Sequence, residues 1–173
     1  MAEVLLSLGS NQDRERYILA ALDALAEQFG ELELSSVYES ESVGFQGSPF
    51  FNMVVGIRTS LSVANLSKLL KKIEDDNGRR RNGPKFSSRT LDIDILTYDD
   101  LTGEVDGILL PRDEVDKNAF VLWPLAELKP TLLHPLHQCS YADLWQAYDQ
   151  DQKLWPVDFY WREQQISRRK ADS

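Results

Sequence analysis

Arg89-Thr90-Leu91-Asp92-Ile93-Asp94-Ile95-Leu96 alternates apolar and polar side chains with a period of two, the pattern of a β-strand. Leu91, Ile93 and Ile95 then share one face and Asp92 and Asp94 the other, the two aspartate Cα atoms lying roughly 6.5–7 Å apart by the strand rise. Carboxylates that close repel unless something positive lies between them. Mg²⁺ takes oxygen ligands, commonly one or two carboxylates plus substrate phosphates. The pair therefore reads either as a metal-phosphate site or as two acids on the wet face of an antiparallel sheet. Arg89, three residues before Asp92, inclines it toward phosphate.

Working outward, Val63, Leu66, Leu69, Leu70 and Ile73 fall at helical spacing and stop at Asn77-Gly78, a C-cap signal. Residues 51–59 precede that helix as a β-branched and aromatic strand, with Asn52 near its start. Leu32, Leu34 and Ser36 alternate with Glu33 and Ser35, and Val37-Tyr38 completes another strand. Ile18, Ala21, Leu22, Leu25 and Phe29 form one apolar stripe ending at Gly30. Residues 3–8 read as a first strand stopped by Gly9-Ser10-Asn11. The order is βαββαβ, which predicts an α+β, ferredoxin-like core: a largely antiparallel sheet with helices packed on it.

Past Tyr98 the pattern weakens. Residues 105–110 suit a short strand, 118–127 are apolar and buried, and 140–148 suit a helix with Ala142, Leu144 and Trp145. Residues 154–161 are aromatic, and no pattern assigns them a role. We expect one domain over 1–173, with 151–173 as a C-terminal extension ending in the basic Arg168-Arg169-Lys170.

The 173 residues suffice for one domain with a proper core, and 42% hydrophobic with 27% charged content is that of an ordinary soluble protein. A net charge of −9 argues against duplex nucleic acid and anionic membranes as partners. Within that acidic chain, Arg79-Arg80-Arg81, Lys85 and Arg89 concentrate positive charge, as a phosphate-ligand site would. Cys139 is the only cysteine, which excludes an intrachain disulfide and a multi-cysteine metal site. The first residues lack a basic signal-peptide region, and no apolar run approaches the ~18 residues of a membrane helix. These features predict a cytoplasmic protein acting on small molecules; they leave the oligomeric state open, with a monomer as the working expectation.

Several residues carry two readings. Glu74 borders the apolar stripe of its helix and faces either the sheet or, like Asp75 and Asp76, solvent. Residues 79–88 are either a basic loop ending a helix or arginine forks for phosphate oxygens, with Gly83-Pro84 allowing the loop to move or close. Phe50, Phe51 and Phe120 are core anchors or the walls of a flat slot for a heterocycle, with Asn52 supplying donor and acceptor edges. Gly9-Ser10-Asn11 lacks the spacing and lysine of a phosphate loop. His134 and His137, separated by Pro135 and without an acidic sequence neighbour, read as structural or exposed.

Taken together, Gly9-Ser10-Asn11, Ser48-Pro49-Phe50-Phe51-Asn52, Arg89-Thr90-Leu91-Asp92-Ile93-Asp94-Ile95 and Phe120-Val121-Leu122-Trp123-Pro124-Leu125 resemble the hydroxymethyl-dihydropterin pyrophosphokinases over residues 4–130. The resemblance implies Mg²⁺-dependent transfer of pyrophosphate from ATP to 6-hydroxymethyl-7,8-dihydropterin in folate biosynthesis. It implies two Mg²⁺ ions held by Asp92 and Asp94 and ATP as co-substrate. Phe50 and Phe120 would enclose the pterin, Asn52 would read its edge, and Ser40 and Val43 would be loop contacts. Glu74, Arg79, Arg81, Arg89 and Ile95 match nucleotide-side positions; Arg79 and Arg89 would also neutralise developing charge, and closure of residues 79–88 would exclude water. Arg112 stands where the family has a histidine, Asn118 where it has an arginine, Phe86 where tryptophan is common, and Ser88 and Glu41 replace prolines. Arg112 is assigned to the nucleotide as a replacement for the arginine missing at Asn118. These departures motivate one alternative, a diverged paralogue that binds pterin or nucleotide with lost or altered transfer. A ferredoxin-like RNA-binding module is opposed by the acidic charge and the lack of an aromatic-rich RNP pattern.

Overall fold

The computed structural model describes residues 1–40, 49–78, 90–149 and 152–169. Its elements run β1 (Ala2–Ser10), α1 (Arg14–Phe29), β2 (Glu33–Leu34), β3 (Tyr38–Ser40), β4 (Phe50–Thr59), α2 (Val63–Asp76), β5 (Asp92–Tyr98), β6 (Gly103–Val105), β7 (Ile108–Leu110), a 3-10 turn (Asp113–Asp116), α3 (Ala119–Leu128), α4 (Tyr141–Ala147), β8 (Leu154–Pro156), β9 (Phe159–Trp161) and β10 (Gln164–Ser167). The main sheet runs β5-β1-β4-β3-β8, with β2 also on β4, and its pairs are antiparallel. Its first four members reproduce the ferredoxin-like order, so the fold predicted from periodicity is the fold observed.

Local chemistry explains where elements differ from the sequence expectation. β1 runs through Gly9 and Ser10, because they pair with Asn52 and Phe51 on β4. The second strand is broken into β2 and β3 at Ser35. Its hydroxyl accepts the Val54 N–H at 2.9 Å while its own N–H donates to Val54 O at 3.0 Å, so one serine occupies both sides of a ladder position. Residues 105–110 are the end of one strand and all of the next, reversing at Asp106 and Gly107, both at positive φ. The apolar run 118–127 is α3, helical despite Pro124.

Two cores sandwich the sheet. Leu6, Leu8, Ile93 and Ile95 pack with Leu22 and Leu25 of α1 and Leu66 and Leu70 of α2. On the opposite face Leu5, Val54 and Leu96 pack with Val121, Leu122 and Leu125 of α3 and with Tyr141. The face that carries Asp92 and Asp94 is therefore partly roofed by α3, which corrects the open wet face as one explanation of the pair. Glu127 ties the end of α3 to the sheet: its carboxylate accepts the Ser36 N–H at 3.0 Å, the Ser36 hydroxyl at 2.7 Å and the Tyr38 hydroxyl at 2.9 Å. Beyond the expected core, β8 adds a strand to the edge at β3, with Leu154 opposite Ser40.

Candidate active site

Register across the sheet gathers the predicted residues. Asp92 lies opposite Gly9, Gly9 opposite Asn52, and Asn52 opposite Tyr38; Asp94 lies opposite Ser7, and Phe50 opposite Ser40. Side chains directly opposite share a face, so Asp92, Asp94, Asn52, Phe50 and Ser40 sit together, under the helix whose first turn carries Phe120. Gly9 separates the carboxylates from the amide. A Cβ at that position would lie 3.2 Å from Asn52 Oδ1 and 3.9 Å from the Phe50 ring, so glycine keeps the floor between the two groups clear.

Asn52 is only 7% exposed. Its Nδ2 donates to the buried Ser40 hydroxyl at 2.9 Å, which fixes the amide's orientation and turns Oδ1 toward Gly9. Phe51 points to the other face: the Arg14 guanidinium lies 3.9 Å above its ring, and Phe159 meets it edge-on at 6.1 Å. Of the two readings for the paired phenylalanines, Phe51 is a core anchor, whereas Phe50 lies on the face of the aspartates.

The aspartates occupy an acidic, partly dry position. Burial, then the adjacent Asp92 carboxylate, pushes the Asp94 carboxyl up to about 7, against the opposing pull of Arg112; Glu114 and Glu74 add to the rise. Arg112 Nη2 stands 3.7 Å from Asp94 Oδ1 and 3.8 Å from Glu114 Oε1, distances of loose ion pairs. The Arg112 N–H donates to Leu96 O at 2.8 Å, anchoring the residue beside β5, while its buried Nε has no hydrogen-bond partner. Among the described residues, Arg112 is the cation that faces Asp94 and Glu114, and it holds both only loosely. The donor set, the carboxylates of Asp92 and Asp94 on one face, is hard oxygen, so these residues fit Mg²⁺.

Glu74 corrects the solvated reading. It is 4% exposed, and its Oε2 accepts the Ile93 N–H at 2.7 Å, on the edge of β5 away from β1. Asp75 and Asp76 are exposed as expected. Ile95, matched to a nucleotide-side position, buries its side chain in the core beneath α1 and α2; a nucleotide could meet only its main chain. Val43, Arg79, Arg81 and Arg89, with Glu41, Phe86 and Ser88, lie outside the described residues. Sequence reasoning did not single out Glu114 or Gln152. The two-residue spacing from Arg112 was the one signal for Glu114, and nothing near Gln152 marks it.

An acidic-imidazole cluster lies next to Tyr141 of the second core. Asp116, His134 and His137 place ligand-type atoms within 4.8 Å of one another, and His137 Nε2 lies 2.7 Å from Asp116 Oδ2, so His137 does have an acidic neighbour in space. His134 Nδ1, however, accepts the N–H groups of Leu136 and His137, each at 3.1 Å. That places the proton of the neutral ring on Nε2 and leaves it no lone pair for a metal. The cluster is a structural pin of the segment before α4.

Residues 5–130 match the family described as 7,8-dihydro-6-hydroxymethylpterin-pyrophosphokinase. The chain is 40% identical over 141 residues to the 2-amino-4-hydroxy-6-hydroxymethyldihydropteridine pyrophosphokinase of Aquifex aeolicus, covering 80% of this chain and 87% of that protein. It is 38% identical over 128 residues to the protein of the same name from Bacillus subtilis, covering 71% and 75%. The wild-type HPPK-DHPS structure of Plasmodium falciparum superposes with a TM-score of 0.67 at 14% identity, over 85% of this chain and 44% of that one. That likeness speaks to the fold, and this chain spans under half of the larger protein. The chain belongs to the 7,8-dihydro-6-hydroxymethylpterin-pyrophosphokinase family, Mg²⁺- and ATP-using enzymes that pass pyrophosphate from ATP to hydroxymethyldihydropterin in folate synthesis.

Proposed function

We propose that pyrophosphate transfer takes place on the face shared by β1, β4, β5 and α3, with Asp92 and Asp94 as the ligands of two Mg²⁺ ions. The observation that supports this most is the pair itself: two aspartates on one face, one of them, Asp94, with its carboxyl raised to about 7 beside the loosely paired Arg112. When bound, Mg²⁺ neutralises phosphate oxygens and aligns attacking and leaving groups. Asp92 and Asp94 hold it at the edge strand; Glu74, bonded to the Ile93 N–H between them, keeps that strand in place. Arg112, loosely paired with Asp94, supplies a guanidinium for phosphate oxygen. Phe50 and Phe120 enclose the pterin ring, Asn52 reads its edge, and Ser40 holds Asn52 in its reading orientation. Arg79, Arg81 and Arg89 at the nucleotide, and Val43 at the pterin, stand on the sequence resemblance.

The small-molecule assignment fits a chain of net charge −9 with one cysteine, which we place in the cytoplasm as a monomer, without nucleic-acid or membrane partners. Among the described residues no helix is long and apolar enough to cross a membrane.

The test is to incubate the pure protein with Mg²⁺, ATP and hydroxymethyldihydropterin and to follow AMP. Pterin-dependent AMP release is expected. Binding of both substrates without AMP would support the diverged-paralogue reading instead.

A further inference from the structure

Residues 152–156 lie beyond the stretch matched by the family, yet they touch both sides of the face assigned to the pterin. β8 pairs with β3, placing Leu154 opposite Ser40 and Trp155 opposite Glu39. β3 has only three residues, and its last, Ser40, holds the Asn52 amide. A strand that short at a free edge frays readily; β8 converts it to an internal strand. Side chains extend the link. Trp155 Nε1 donates to Glu39 Oε1 at 3.1 Å, and Arg14 Nη1 donates to Glu39 Oε2 at 2.6 Å and to the Pro49 carbonyl at 3.0 Å. With its guanidinium stacked on Phe51, Arg14 ends this relay on the two residues that flank Phe50.

Gln152 reaches the opposite side. α3 begins behind Asn118, whose side chain makes no capping bond. The first N–H groups of a helix have no intrahelical acceptor. Gln152 Oε1 supplies one, accepting the Ala119 N–H at 2.7 Å, and Gln152 Nε2 donates to Asn118 Oδ1 at 3.5 Å. The capped residue is immediately before Phe120.

We propose that residues 152–156 are a positioning element of the pterin site: Gln152 caps the turn that carries Phe120, and β8 braces the strand that carries Ser40. One short segment thereby sets the aromatic wall against the edge reader. The inference rests on the assignment of Asn52 and Phe120 to the pterin and assigns a role to the extension that its sequence did not reveal.

The experiment compares full-length wild type, Gln152→Ala, Gln152→Glu, Trp155→Phe and, as a control, Phe120→Ala. KM is measured for pterin and for ATP, each at saturating partner, alongside thermal melts. Gln152→Ala, losing the cap, should raise the pterin KM about three- to tenfold and leave the ATP KM unchanged. Gln152→Glu retains an acceptor at the helix start and should rescue pterin binding. Trp155→Phe should raise the pterin KM less, about twofold. Either of two results overturns the proposal: a pterin KM unmoved by Gln152→Ala, or pterin and ATP constants moving together with the melting temperature. If Phe120→Ala weakens pterin binding while Gln152→Ala does not, the positioning role alone fails. If neither does, the pterin assignment of the wall fails with it.

Discussion

Glu74 and Ile93 are joined by a 2.7 Å hydrogen bond in which a buried carboxylate of α2 accepts the main-chain N–H of β5 at the residue between the two aspartates. Glu74→Ala strands that N–H at a buried edge. The loss of a charged acceptor should cost about 2–3 kcal/mol, a fall of roughly 4–12 °C in melting temperature for a chain of this size. Glu74→Gln keeps an oxygen in reach and should cost less. Thermal melts of the two variants decide this, and equal, negligible shifts would refute the strand-holding role.

Asp94 makes stability depend on pH with a definite sign. Its folded-state carboxyl, at about 7, lies above its ordinary value of 3.8, so between these values the folded chain holds a proton that the unfolded chain has released. The group's contribution is most favourable below about pH 4 and is lost as pH rises through 7. Metal-free protein should therefore melt lower at pH 8 than at pH 6, by a component that Asp94→Asn removes. Asp94→Asn should also raise the melting temperature at pH 8 while abolishing transfer. Melts in a chelating buffer check both, and a pH difference unaltered by Asp94→Asn would contradict the raised carboxyl.

Gly9 is required for space rather than backbone freedom. Gly9→Ala places a methyl 3.2 Å from Asn52 Oδ1, displacing the amide that Ser40 holds. The pterin KM should rise about tenfold or more, since small misplacements at a reacting site are costly, with little change in the ATP KM. Steady-state kinetics with each substrate varied separately provide the readout.

Arg112 should matter on the nucleotide side. Arg112→Ala removes the guanidinium that, among the described residues, pairs with Asp94, and should lower kcat/KM for ATP about tenfold or more. Arg112→Lys should recover little of it, because an ammonium lacks the planar fork. Full recovery by lysine would reduce the role of Arg112 to charge alone.

The ferredoxin-like core was legible because its strands and helices obey clean periods: Val63, Leu66, Leu70 and Ile73 are all buried, and Ile93 and Ile95 alternate with the aspartates as predicted. The setting of Asn52 was legible only in outline, because its partner Ser40 lies on another strand and the register that joins them is a tertiary fact. Glu74 was ambiguous because an acid at the rim of an apolar stripe looks the same in sequence whether it meets water or a main-chain N–H. The role of residues 152–156 was hidden for a related reason. A three-residue strand has no measurable period, and Gln152 caps a helix that begins far away in sequence.

The most direct test of the central assignment is a Mg²⁺ titration by calorimetry in the presence of a non-hydrolysable ATP analogue, comparing wild type with Asp92→Asn and Asp94→Asn. Wild type should bind two ions per chain–nucleotide complex, and each variant should lose at least one ion or bind at least about tenfold more weakly. Wild-type stoichiometry and affinity in both variants would contradict the assignment of the β5 aspartates as the metal ligands.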